Sequence, residues 1–336
     1  MKRRELPTEY HAAAPVRLDF AGGWTDVPPF SQREGGMVVS GAIRLHAYAE
    51  LKLGGSRLRL VSEDLGQEVE CANAFGLRID GRLDLLKAGL RMFPVTGPCA
   101  LTTRSDAPPG SGLGSSGALD VALVACLAAA RREALDPRET AHHAWYLETV
   151  EAGVPGGKQD QLAAALGGFH RFTFRDPDVG VEPLTLDPAF LAALERHTVL
   201  CYTGVSHVSG QTIGRVMASY DAGDPGVTGA LRGLRDVAAR MADALRAADV
   251  ERVGALLSEN WCHQRALDPG MRTAEMARLE HALAGAGVLG GKAAGAGAGG
   301  SMFFLVRDPA RAADAARAAG ARVLPVVWSG EGVRAW

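Results

Sequence analysis

Apolar and polar positions divide the chain into a strand-rich opening, a helical middle and a mixed last third. RLDFAG (17–22) and MVVSGAIRLHAYAEL (37–51) are rich in β-branched and aromatic residues and predict strands on either side of a Gly/Trp/Pro turn. SRLRLVSE (56–63) and the alternating EVECA (68–72) extend the β region, and a short helical pattern over 83–92 precedes β character over 99–103. Residues 114–132 carry Leu119, Val121, Leu123, Val124 and Leu127 among alanines, a wide apolar face that predicts a helix. The next helix marks its own start: Asp136 can cap it, Pro137 takes the first helical position and Glu139 the third, the pattern of a capping box. It is expected to run to about Glu151, where Gly153 and Pro155 stop it.

QLAAALGG (161–168) then reads as a short helix and FHRFTFRD (169–176) as a strand with alternating faces. Residues 176–188, rich in Pro and Asp, are the linker candidate. Beyond them HTVLCYTG (197–204) predicts a strand, followed by helices over 231–248 and 250–264. A helix at about 273–286, a glycine-rich turn, the strand SMFFLVRD (301–308), the helix PARAADAARAAG (309–320) and the strand RVLPVVWS (322–329) complete the chain. Strands and helices mixed without a strict βαβ period favour α+β over a doubly wound sheet. A length of 336 residues suggests about two domains.

Composition narrows the function classes. Lys plus Arg (36) nearly cancels Asp plus Glu (38), a net charge of −2, so nothing at chain level favours nucleic acid or a membrane surface. Cys71, Cys99, Cys126, Cys201 and Cys262 are odd in number, widely spaced and without a CxxC pair, which argues against a disulfide framework or structural zinc and fits a reducing cytoplasm. The first residues are basic but lack the apolar core of a signal peptide. The apolar stretch VALVACLAAA (121–130) is shorter than the ~20 residues a bilayer span needs. A soluble, cytoplasmic protein is expected.

The glycines are clustered, and PPGSGLGSSGAL (108–119) leads straight into the strongest helix. Glycines permit tight turns whose successive N–H groups converge on an anion, and the helix N-terminus adds partial positive charge. Phosphate is the natural ligand, with Ser111, Ser115 and Ser116 offering hydroxyls to it or to Mg²⁺. The bland alternative is a surface turn in which Ser115 or Ser116 caps the helix. There is no GxxxxGK[ST] here. Gly112, Gly114 and Gly117 satisfy GxGxxG, but prolines precede them where a dinucleotide fold needs a strand; Gly295, Gly297 and Gly300 match again in the reverse element order. A nicotinamide-dependent oxidoreductase is therefore a distant reading.

Three segments, in order and spread over nearly the whole chain, resemble the GHMP kinases, the superfamily of galactokinase, homoserine kinase, mevalonate kinase and phosphomevalonate kinase. They are APVRLDFAGGWTD (14–26), PPGSGLGSSGA (108–118) and KAAGAGAGGSMFFL (292–305). A fourth, ETVEAGVPGGKQDQ (148–161), is similar to the galactokinase-type stretch in which a glutamate precedes an Asp-Gln pair. The resemblance implies a two-domain α+β fold, 1–185 carrying the ATP-phosphate loop and 186–336 the closing glycine loop. The first domain would resemble the second domain of ribosomal protein S5, and the second would be an antiparallel sheet backed by helices, with the active site in the cleft between them. ATP and Mg²⁺ are the implied cofactors, and a sugar or sugar phosphate the partner, with a homodimer left open.

Residue roles follow from the same resemblance. Asp160 would serve as general base or orient the acceptor hydroxyl, and Arg17 would lower its pKa or stabilise the γ-phosphate. Ser116 and Glu148 would hold Mg²⁺. Pro109, Gly110, Ser111, Gly112, Leu113, Gly114, Ser115, Ser116 and Gly117 would cradle the triphosphate. Gly23, Trp24, Thr25, Asp26, Gly157, Lys158, Gly297 and Gly299 would face the substrate, with Trp24 either stacking on a sugar or anchoring its loop.

AGGWTD stands where galactokinases have a GEH-type segment and is similar to two sugar 1-kinase groups, the D-glycero-D-manno-heptose 7-phosphate kinases and the L-fucokinases. Trp24 and Pro28-Pro29 resemble the fucokinases; GGKQDQLAAALGGF, GGKAAGAGAGG and the stand-alone length resemble the heptose kinases, the preferred reading. A 7-phosphate would need a cationic clamp, for which Lys158, Arg33, Arg44 and Lys292 are candidates. A catalytically silent sensor of sugar and ATP is the non-enzyme alternative.

Overall fold

The computed structural model describes residues 8–73, 76–205 and 209–336. Its first part is β1 (Glu9–Ala21), the one-turn α1 (Phe30–Arg33), β2 (Gly36–Leu53), β3 (Leu58–Ser62), β4 (Gln67–Cys71), α2 (Asp84–Met92) and β5 (Cys99–Ser105). Then come α3 (Ser115–Arg131), α4 (Pro137–Tyr146), a π turn over Leu147–Glu151, α5 (Gln159–Leu166) and the hairpin β6 (Phe169–Arg175) and β7 (Asp178–Pro183). The remainder is α6 (Pro188–His197), β8 (Thr198–Tyr202), α7 (Ser209–Asp221), α8 (Pro225–Arg246), α9 (Val250–Arg265), α10 (Ala274–Leu283), β9 (Val288–Ala293), β10 (Ser301–Val306), α11 (Pro309–Ala318), β11 (Arg322–Leu324) and β12 (Arg334–Ala335). Among the described residues no helix is long and apolar enough to cross a membrane.

Two sheets organise these elements, and the class is α+β. The larger runs β12-β1-β2-β5-β3-β4, with β6 added on β2 and β7 on β6. It is mixed, because β3 pairs parallel with β5 while the other pairs are antiparallel. The smaller, β11-β8-β10-β9, is antiparallel throughout. A division at 185/186 keeps the two sheets apart except for β12, which returns the end of the chain to β1.

Packing follows the apolar faces. Val121, Leu123, Val124 and Leu127 of α3 are buried in one core with Val16, Leu18 and Phe20 of β1 and Ile43 of β2. Helices α8 and α9 join that core through Ala238, Met241, Leu245 and Leu257. A second core, with Leu231, Leu234, Trp261, Met302 and Phe304, also holds Trp24 from the first motif and Phe30 from α1 just after it. The two halves are therefore packed into each other around that motif.

Several expectations are corrected. Residues 176–188 are not a linker: Val179 and Val181 pack against the main core, and β7 pairs with β6 from Arg175↔Asp178 onward. The Pro/Asp composition hid that alternation. Residues 188–197 form α6, capped by Asp187 with Pro188 at its first position, and residues 209–221 form α7; neither was expected. Helix α8 begins at Pro225, capped by Asp224, because Val227 and Ala230 extend its buried face upstream. Of the stretch expected as a glycine-rich turn after α10, Val288–Ala293 is strand β9, since backbone pairing with β10 needs no side chains, and the turn is confined to residues 294–300. The strand expected over 322–329 ends at Leu324, before a proline that lacks the N–H a ladder needs. Trp328 instead makes an isolated bridge to Ile43. The capping box at Asp136 and Glu139 forms. Its α-helix ends at Tyr146, however, and widens into the π turn that carries Glu148.

Candidate active site

A cleft of about 470 Å³ is lined by residues from all four sequence segments singled out above. On one side lies the glycine loop, with Gly110, Gly112 and Gly114 at positive φ. Gly114 is the N-cap of α3 in the left-handed region, and no side chain caps that end. Ser115 and Ser116 therefore do not satisfy the first-turn amides, and the uncapped α3 N-terminus faces the cleft with its partial positive charge. The closing loop lies against it: the Ser301 N–H donates to the Ser111 carbonyl (2.7 Å), and Gly295, Ala296, Gly297 and Gly299 line the cleft.

Arg17 and Asp160 meet across the floor of this cleft. The Arg17 Nε donates to Asp160 Oδ1 at 2.8 Å and a terminal nitrogen lies 2.7 Å from the same oxygen. Arg17 also donates to the carbonyls of Gly112 (2.8 Å) and Ala294 (3.0 Å), so the buried guanidinium ties β1, the phosphate loop, the closing loop and α5 together. Gly117 allows the close approach of α3 to α5: a Cβ there would sit 2.7 Å from Asp160 Cβ. In Gly117→Ala the two helices must move apart, by close to an ångström, to restore an ordinary carbon–carbon contact. The expected result is a several-fold to about tenfold lower kcat with little change in nucleotide affinity, read by steady-state kinetics and calorimetry.

Beside this pair, Ser116 Oγ donates to Glu148 Oε1 at 2.7 Å and Gln161 Nε2 donates to Oε2 at 2.7 Å. Burial pushes the Glu148 carboxyl up to about 7, against the lowering effect of the Ser116 bond, and burial pushes Asp26 up to about 6. Asp120, one turn after Ser116, is fully buried with no hydrogen-bond partner for either oxygen among the described residues. Burial, with the Glu148 charge nearby, raises its carboxyl well above the usual range.

These acids set a stability slope. In the metal-free folded protein Glu148 keeps its proton up to about pH 7, whereas in the unfolded chain it loses it near the ordinary 4.5. The folded state binds the extra proton in that window, so this contribution to stability falls as pH rises through it and is level above. Glu148→Gln removes the titration. Its Tm relative to the parent protein is expected to improve from about pH 5 to about pH 8 without metal, checked by thermal unfolding.

At the first motif, Asp26 accepts from the Gln159 backbone N–H and from Gln159 Nε2, both at 3.0 Å, and lines the cleft together with Gly23, Trp24 and Gly157. A Cβ on Gly157 would overlap the Asp26 carboxylate, so the glycine is needed for this contact. Trp24 is 4% exposed at φ 82, packs into the second core and lines the cleft with its indole Nε1 unpartnered among the described residues. It anchors the loop.

Other expected positions lie outside the cleft. Thr25 is buried with its hydroxyl within bonding distance of the Gly22 and Met37 carbonyls (2.7 and 3.0 Å), and it accepts from the Met37 N–H; it ties the motif to β2. Leu113 is a core residue whose carbonyl accepts from the Arg17 N–H, and Gly117 serves helix packing. The clamp candidates are held elsewhere. Lys158 donates to Asp176 at 2.9 Å and sits over the Trp145 ring, Arg33 pairs with Asp221 at 2.8 Å, and Arg44 is exposed on β2 away from the cleft. Lys292 is fully buried and bonded to Asp19. Among the described residues Arg17 is the one basic side chain that lines the cleft.

Asp19, Gln159 and Asp120 were not singled out from the sequence, and Gln161 was marked only as the second member of the Asp-Gln pair, with no role given to it. The signal for Asp19 and Asp120 was present, an acid alone in an apolar strand and an acid alone in an apolar helix.

Comparison with known proteins agrees with this geometry. Residues 80–168 match the GHMP kinases N terminal domain and residues 241–325 the GHMP kinases C terminal domain, together more than half of the chain. The D-glycero-alpha-D-manno-heptose 7-phosphate kinase of Campylobacter jejuni is 30% identical over 96% of this chain and 97% of its own length. The bifunctional fucokinase/GDP-fucose pyrophosphorylase of Arabidopsis thaliana is 27% identical over 91% of this chain, which spans 30% of that protein. The crystal structure of a D-glycero-D-manno-heptose 1-phosphate kinase from Bacteroides thetaiotaomicron superposes with a TM-score of 0.78 at 28% identity, covering 97% of this chain and 98% of the other. Similarity that runs through both halves, and through nearly the full length of a kinase, places the chain in the GHMP kinase family of ATP-dependent phosphotransferases.

Proposed function

We propose that the protein transfers the γ-phosphoryl group of ATP to the anomeric hydroxyl of a sugar, with D-glycero-D-manno-heptose 7-phosphate as acceptor. The observation that carries the reaction type is the Arg17–Asp160 pair set in the same cleft as the uncapped N-terminus of α3. The 30% identity to the Campylobacter enzyme along its whole length supports the acceptor.

Phosphoryl transfer has a loose transition state, so positioning and charge stabilisation account for most of its catalysis. The α3 amides and the loop N–H groups bind the phosphates. Asp160 orients the acceptor hydroxyl and takes its proton, while the two Arg17 contacts to Oδ1 hold the carboxylate aimed. Asp26, Gly23 and Gly157 line the sugar end, and the exposed side chains of Leu65 and Val154 give the cleft apolar surface for a purine. Ser116 and Glu148 fit Mg²⁺: both are oxygen ligands, and the raised Glu148 carboxyl is that of a buried acid lacking a cation. When bound, Mg²⁺ neutralises phosphate charge. Among the described residues no group of three or more His, Cys, Asp or Glu is arranged for a metal, in keeping with an ion that draws most of its ligands from phosphate and water. The two functional halves are taken as 1–185 and 186–336.

A second reading is favoured by one observation. None of Lys158, Arg33 and Lys292 lines the cleft and each is bonded to a carboxylate, which favours an unphosphorylated acceptor such as L-fucose or D-arabinose. ADP release with Mg²⁺ and ATP, measured with heptose 7-phosphate, L-fucose, D-arabinose and galactose in parallel, decides between them. The heptose 7-phosphate is expected to give the highest kcat/KM; preference for L-fucose or D-arabinose replaces it with the second reading. Sugar and ATP binding without turnover on any of the four would leave a sensor.

A further inference from the structure

Lys292 and Asp19 make an ion pair, and Asp19 is among the residues that line the cleft. The Lys292 Nζ donates to the Asp19 main-chain carbonyl (2.6 Å) and to its Oδ2 (2.9 Å), with the lysine wholly buried and Asp19 2% exposed. Replacing a buried pair of this kind by apolar residues is often neutral or stabilising, because desolvation offsets the attraction. Stability alone is therefore a weak reason for it.

Its position supplies a better one. Asp19 lies two residues after Arg17 on β1, so both side chains leave the same face of the strand. Lys292 lies two residues before Ala294, whose carbonyl accepts from Arg17 at 3.0 Å. The segment from Lys292 to Ala294 is thus fixed to β1 at two points, Lys292 on Asp19 and Ala294 on Arg17. β1 and β9 belong to different sheets, and this clasp joins them directly beneath the Arg17–Asp160 pair. We propose that Lys292 and Asp19 are positioning residues that hold the Ala294 carbonyl, and through it the Arg17 guanidinium, in register with Asp160. This deepens the kinase reading by naming what aligns its central pair.

The test uses Asp19→Asn, whose amide keeps the shape of the carboxylate and can still accept from Lys292, and the double variant D19N/K292M, which leaves no buried ion. Both are expected to fold, the double variant with a Tm within a few degrees of the parent. Its kcat is expected to fall about 10²-fold, with KM for ATP and for the sugar within about twofold, because the misplacement acts on alignment. A crystal structure of the double variant should show the guanidinium withdrawn from the Ala294 carbonyl. Parent-like kcat with Arg17 in place overturns the proposal. So does a raised sugar KM at unchanged kcat, which would make Asp19 a sugar contact. If the double variant does not fold, the same split in Asp19→Asn decides. If the parent enzyme phosphorylates none of the tested sugars, the functional reading fails, and the position of Arg17 in the variant crystal still decides the clasp.

Discussion

Asp160→Asn is expected to lower kcat by about 10²–10⁴-fold while leaving nucleotide and sugar affinities close to those of the parent protein. The amide keeps the shape of the side chain and still accepts from Arg17, but it cannot take a proton from the acceptor hydroxyl. Asp160 is also the point where α5, the phosphate loop and β1 converge, so an isosteric change tests chemistry with the least structural disturbance. Steady-state kcat with the accepted sugar and calorimetric titration of ATP and sugar check it. A loss below about tenfold would mean that Asp160 only positions the hydroxyl and that proton removal is not part of the barrier.

Arg17→Met is expected to be the most damaging single substitution for fold and activity together. Four bonds leave with the guanidinium: two to Asp160 Oδ1 and one each to the Gly112 and Ala294 carbonyls. Asp160 then faces the cleft without its counter-charge, and two loop carbonyls lose a buried donor. Breaking a buried pair from one side costs about 3–5 kcal/mol, which for a chain of this size means a Tm lower by several degrees at least. Because Asp160 is about one-third exposed, water takes up part of that loss, and the lower end of the range is expected. The effect on kcat should be about 10³-fold, since both charge and alignment are lost. Thermal unfolding and kinetics measure the two separately. A variant with a parent-like Tm and kcat would show that the four bonds are incidental.

The sequence by itself determined the local elements that carry unmistakable signals and the family to which the site belongs. The capping box at Asp136, the apolar face of α3 and the glycine loop before it depend on neighbours in the chain, so they were readable without tertiary contacts. Four motif segments sufficed to nominate Arg17, Ser116, Glu148, Asp160 and Asp26, which the fold gathers around one cleft although the first and last of the segments are nearly 280 residues apart.

Only the tertiary structure decided what those residues touch. Strand β7 was hidden by a Pro/Asp-rich composition because its pairing partner, β6, gives its two valines a core to face. Thr25 could have met a substrate or the backbone, and the packing of its loop on β2 chose the backbone. Lys292 and Lys158 were cations near motifs until the fold placed Asp19 and Asp176 against them. A charged side chain's role is set by which opposite charge reaches it and by how much water remains, and neither quantity is local in sequence. The same reason explains why Glu148 is a raised acid beside Ser116 while Glu34 is a surface partner of Arg232 held below its ordinary range. Two glutamates of identical chemistry differ because burial dominates at the first and an arginine at the second.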